Sequence, residues 1–125
     1  MTDASSAFPI AVPANTAKTS PVTVQCPLGW SDVQSIMLVF PAGCSGFVGL
    51  SIRYAGNPVY PVGSNAFYVL DDYVLVIPVT NQQKAGQWQV VAYNTDFYAH
   101  TPTVYFSYNY LPQGQQGNSS TLVSL

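Results

Sequence analysis

Proline or glycine interrupts this chain every few residues, and the stretches between them alternate apolar with polar side chains. Ten prolines and nine glycines are spread over 125 residues. Helix interiors tolerate neither well, because proline removes a backbone donor and glycine costs conformational entropy. No window carries the 3.6-residue recurrence of an amphipathic helix. A period of two instead marks a strand with one buried face. Residues 47–54 place Val48, Leu50, Ile52 and Tyr54 on one face and Gly49, Ser51 and Arg53 on the other. Residues 103–110 set Val104, Phe106, Tyr108 and Tyr110 against Thr103, Tyr105, Ser107 and Asn109.

The same reading along the chain predicts strands at 22–26, 33–40, 47–54, 59–60, 66–70, 73–79, 87–93 and 103–110. Turn residues separate them, as at Pro41-Ala42-Gly43 and Ala55-Gly56-Asn57. Seven to eight short strands at this spacing predict an all-β fold. The expected form is an antiparallel β-sandwich, jelly-roll or Ig-like, with a closed barrel as the alternative. Trp88, Phe40, Phe47 and Phe106 are the first residues assigned to its core.

Composition divides the chain into three regions. Residues 1–20 are rich in Ala, Ser, Thr and Pro and read as an extended N-terminal arm with Phe8, Ile10 and Val12 as apolar anchors. Residues 21–111 form the β-sandwich domain. Residues 112–125 read as an extended C-terminal tail anchored by Leu122, Val123 and Leu125. Ordering such segments costs about 1–2 kcal/mol of backbone entropy per residue, so some surface must compensate. The expectation is that arm and tail lie across neighbouring subunits as clamps, and that a chain lacking residues 1–20 keeps a folded core.

Charge narrows the function classes. Only 6% of residues are charged, with Lys18, Arg53 and Lys84 against five aspartates and no glutamate, for a net charge of -2. Nucleic-acid binding needs several cations to neutralise phosphates, so a nucleic-acid partner is set aside. No apolar run has the roughly 20 residues of a membrane span, and no basic stretch leads into an apolar one at the start, so no membrane partner and no leader are expected. A surface this poor in charge has to be covered by hydroxyls and amides or hidden against partners. A homo-oligomer follows, with a trimer as the first expectation.

The inventory for chemistry is thin. His100 is the single histidine, and Asp96 stands near it in Asn94-Thr95-Asp96-Phe97-Tyr98-Ala99-His100-Thr101-Pro102. Without a nucleophile elbow the pair reads as loop bracing rather than catalysis. Asp71-Asp72 reads as a turn between two apolar strands; a Ca²⁺ loop would need spaced acids. Cys26, Cys44 and His100 are too few for zinc. The chain is therefore expected to be no enzyme and to carry no cofactor and no metal. Cys26 and Cys44 each end a strand. A disulfide between them would close a loop of about 18 residues and contribute around 3 kcal/mol; two buried thiols are the alternative.

Several segments resemble a class of small virion structural proteins of tailed bacterial viruses and related prokaryotic viruses. They are Phe40-Pro41-Ala42-Gly43-Cys44-Ser45-Gly46-Phe47-Val48-Gly49-Leu50, then Tyr60-Pro61, then Trp88 through Tyr93-Asn94-Thr95-Asp96, and His100 before a final aromatic strand. The likeness spans roughly residues 28–110. It implies a β-sandwich component of a virus particle and transfers no catalytic residue. The expected function is capsid decoration or a minor capsid role, with other capsid or virion proteins as partners, assembled in the host cytoplasm. The alternative is a tail-fibre or receptor-binding domain that recognises a cell-surface glycan through its tyrosines.

Overall fold

The fold is laid out from a turn near its middle. Ala55 and Gly56 both take left-handed φ angles, 51° and 85°. They join Tyr54 to its partner Asn57 as a two-residue hairpin loop, whose handedness matches the twist of the strands beside it. From that turn the two halves of the chain run back along each other. The computed structural model describes residues 2–28, 31–63, 65–79 and 87–110. Its strands are β1 (Thr2–Pro9), β2 (Val22–Pro27), β3 (Ser31–Phe40), β4 (Val48–Tyr54), β5 (Asn57–Tyr60), β6 (Tyr68–Val69), β7 (Tyr73–Pro78), β8 (Gln87–Asn94) and β9 (Thr103–Tyr110).

Pairing is nested and antiparallel throughout: β4 with β5, β3 with β7, β2 with β8, and β1 with β9. Between β1/β9 and β2/β8 the ribbon continues through the bridges Val12–His100 and Thr16–Asn94. Winding this one long hairpin on itself brings β3 against β9 and β4 against β8. The result is two sheets, a four-stranded one ordered β1-β9-β3-β7 and a five-stranded one ordered β2-β8-β4-β5 with β6 also on β4. A hairpin rolled into two packed antiparallel sheets is the jelly-roll form of the β-sandwich. The chain is all-β, as its alternation predicts.

The inward faces fill the space between the sheets. Trp88, Phe40, Phe106, Ile36, Leu38, Leu50, Ile52, Val90 and Val104 are fully buried. Trp88 packs edge-on against Tyr54, with ring centroids 5.0 Å apart, and lies 5.5 Å from Phe106. On the outward face of the five-stranded sheet, Tyr93 lies so close over Gly49 that a Cβ there would collide with its ring, which is why glycine stands opposite Tyr93.

The N-terminal region departs from its expected role. Residues 2–20 do not form a free arm: β1 pairs with β9 over its whole length, as an edge strand of the four-stranded sheet. Ile10 and Val12 are fully buried in this chain's own core, and Phe8 packs edge-on against Phe106 at 5.8 Å. The physical reason is the free edge of β9, whose backbone groups need partners and receive them from residues 2–9. The sandwich therefore begins at β1, and its boundary is not residue 21. The tail anchors Leu122, Val123 and Leu125 lie outside the described residues.

Candidate functional site

Four connections gather at one end of the sandwich: residues 10–21 between β1 and β2, 41–47 between β3 and β4, 70–72 between β6 and β7, and 95–102 between β8 and β9. Sequence dictates their shape. In the β3–β4 turn Gly43, Ser45 and Gly46 take φ angles of 104°, 49° and 82°, a tight reversal closed by the Phe47 amide donating to the Cys44 carbonyl at 2.8 Å. Asp71 ties in the neighbouring turn by accepting from the Gly43 amide at 3.0 Å, while Asp72 adopts a left-handed φ of 48°. Asp71-Asp72 is thus a turn, as its composition suggested.

Residues 94–102 are held by a connected set of side-chain hydrogen bonds. Asn94 is fully buried; its amide donates to the Tyr98 carbonyl at 2.7 Å and to the Val12 carbonyl at 3.4 Å. Its Oδ1 accepts from the Asp96 amide at 2.9 Å. Asp96 in turn accepts from the Phe97 amide at 2.7 Å, and its other oxygen from His100 Nε2 at 2.8 Å. Val12 and His100 exchange backbone hydrogen bonds at 2.9 and 3.2 Å, pinning the loop to the β1–β2 segment. The side chains of His100 and Asp96 are only 13% and 15% exposed.

This bracing lifts an aromatic pair into solvent. Phe97 and Tyr98 are 83% and 73% exposed, and Phe47 at the neighbouring turn is 43% exposed. Phe47 therefore does not belong to the core assigned to it, whereas Trp88, Phe40 and Phe106 do. Val69 and Tyr73 are exposed at the same end, since Val69 pairs with Gly49 and Tyr73 with Phe40. Five of the eight large apolar side chains that stand exposed among the described residues thus share one end. Three aspartates, Asp71, Asp72 and Asp96, rim it.

The chemistry of the cluster favours shape over reactivity. The hydrogen bond from His100 holds the Asp96 carboxyl below its usual value; partial burial opposes this and the Phe97 amide assists it. Cys44 is buried beside this pair, and its thiol is pushed up by burial and by the carboxylates of Asp71 and Asp96. A nucleophilic cysteine requires the opposite shift. Among the described residues no group of three His, Cys, Asp or Glu side chains is placed to hold a metal ion.

The two cysteines are free thiols. Cys26 stands in register with Trp88, which faces Tyr54 at the end of β4; Cys44 lies just before the start of β4. Six strand steps, roughly 20 Å at 3.3 Å each, separate those ends. A disulfide needs Cα atoms within about 7 Å. The bridge Cys26–Cys44 is therefore corrected to two separate buried thiols, that of Cys26 raised by burial to about 12.

The structure brings Asp96 and His100 together as their spacing suggested, and takes Phe8, Ile10 and Val12 into the core. Phe97 and Tyr98 were not singled out from sequence. Their one local signal is an aromatic pair in a loop between Asn94-Thr95-Asp96 and His100-Thr101-Pro102, where apolar side chains have no strand to join. No family model, no curated protein and no solved structure matches this chain.

Proposed function

We propose that this chain is a virion structural protein, of the capsid decoration or minor capsid type, that docks on neighbouring particle proteins and stabilises the shell. The observation that carries the reading is the braced loop that holds Phe97 and Tyr98 in solvent. Large aromatic side chains on a hydrogen-bonded backbone suit a binding anchor, because little backbone entropy is lost when a partner pocket closes on them. A role in assembly rather than catalysis agrees with a charge content of 6%, which leaves most of the surface neutral. The jelly roll supports the reading by analogy only, since viral capsid subunits share that architecture with lectins and cupins.

The test is mass spectrometry of purified particles, with copy number, on chains carrying Phe97→Ala and Tyr98→Ala. The double variant should melt as the parent does and fail to join particles. Normal incorporation of the double variant, or absence of the parent chain from particles, sinks the proposal. The same aromatic pair supports a second reading, stacking on a glycan as a fibre or receptor-binding domain. Glycan-array binding that Tyr98→Ala abolishes, with particle incorporation intact, would favour that alternative.

A further inference from the structure

The free edges of the two sheets are not alike. β1 presents Ser5, Ala7 and Pro9 outward, β2 presents Thr23 and Gln25, and β5 is short and contains Pro58. β7 differs in what it presents: Tyr73-Val74-Leu75-Val76-Ile77-Pro78 turns Val74 and Val76 outward, on a strand that, like β2, holds no charge and keeps an unbroken register. Tyr73, Val74 and Val76 are 53%, 51% and 58% exposed, and among the described residues no strand lies beyond β7. Natural proteins blunt a flat apolar edge with lysine, proline or a bulge, because its unpaired amides and carbonyls are a template for another strand. On β7 the one such device is Pro78, at the very end.

We infer that β7 pairs antiparallel with β7 of a second copy of this chain, joining the two four-stranded sheets into one. The occupant follows from the strand itself. A two-fold axis through Leu75 sets Val74 opposite Val76 of the second copy, and Tyr73 opposite its Ile77. Outward residues then meet outward residues and inward meet inward, which the period of two requires of any sheet register. Aliphatic cross-strand pairs are the stabilising unit of a sheet, and here no like charges oppose one another. Pro78, which has no amide to donate, falls outside the paired stretch. The contact is isologous, so it closes as a dimer and leaves no β7 edge free.

Area sets the strength. Five paired residues with three half-exposed side chains cover at most about 350 Å² per copy, roughly 700 Å² in all, below the roughly 1,200–2,000 Å² total of a standard interface. The dimer is accordingly reversible and concentration-dependent. Antiparallel pairing also points the two loop ends, with their Phe97 and Tyr98, in opposite directions. On the proposed docking role, on which this one consequence rests, the dimer is a two-headed link between separate particle surfaces, strengthened by engaging both.

Sedimentation equilibrium and light scattering on the full chain test the pairing. The parent mass should rise from 13.5 kDa toward twice that value across the micromolar range. Val76→Lys, at an exposed position, should keep the β-type circular dichroism and the melting temperature and weaken dimerisation at least tenfold. Tyr98→Ala should dimerise as the parent does, which separates this test from that of the docking loop. Amide exchange at residues 73–77 should slow as the parent is concentrated, a readout that needs no variant. A parent that stays at 13.5 kDa, a Val76→Lys chain that dimerises unchanged, amide exchange independent of concentration, or a limiting mass above the dimer overturns the inference.

Discussion

Replacing Asn94 with alanine should cost this protein about 2–3 kcal/mol and release the aromatic loop. The magnitude comes from the three hydrogen bonds of the buried amide. The bonds to the Tyr98 carbonyl at 2.7 Å and from the Asp96 amide at 2.9 Å are short, and each contributes about 1 kcal/mol. The contact with the Val12 carbonyl, at 3.4 Å, adds little. The emptied space next to the core adds about 0.5–1 kcal/mol. Unfolding entropy runs at about 2.1 cal/mol/K per residue, so over this chain the loss lowers the melting temperature by about 10 °C. Scanning calorimetry on parent and variant measures it.

Asn94→Asp sharpens the test, because it keeps the acceptor for the Asp96 amide but turns a carboxylate toward two carbonyl oxygens. It should be less stable than Asn94→Ala at neutral pH and recover on acidification as the buried carboxyl takes a proton. A melting temperature for Asn94→Ala within the ~0.5 kcal/mol scatter of ordinary surface substitutions would refute the bracing argument.

Three further outcomes follow. Ile10→Ala should cost about 2–5 kcal/mol in denaturant unfolding, as for any fully buried isoleucine; removal of residues 1–20 should leave the chain unfolded or aggregated, because β9 would lose β1 and the core would lose Ile10 and Val12. Thiol titration of the denatured, unreduced protein should find both Cys26 and Cys44 free, and a reductant should leave the melting temperature unchanged. The stability difference between the parent and Asp96→Asn should be full above the usual carboxylate value of 3.8 and shrink as pH falls below it. The sign follows from a folded-state pKa held down by His100: the folded form binds its proton less readily than the unfolded chain, so acid favours unfolding. A difference that grows on acidification would contradict the His100–Asp96 geometry.

Strand positions were legible from sequence because alternation is local. A side chain's face is set by its parity along the backbone, so residues 103–110 and 33–40 could be read directly, and β9 and β3 occupy 103–110 and 31–40. The Ala55-Gly56 turn was legible for the same reason, since its conformation is set within four residues. Three outcomes depended on the roll of the hairpin instead. Thr2–Pro9 has the composition of a loop and becomes a strand only because β9 offers it an edge. Cys26 and Cys44 each end a strand, but their separation is decided by the length of β4 between those ends. Phe97 and Tyr98 are aromatic like Phe106, yet a buried Asn94 and the His100–Asp96 pair hold them outside the sheets. Alternation records which face a residue takes within its own strand. Which strands meet, and what their meeting leaves uncovered, depends on contacts between residues far apart in the chain, and these exist only once the two sheets have closed.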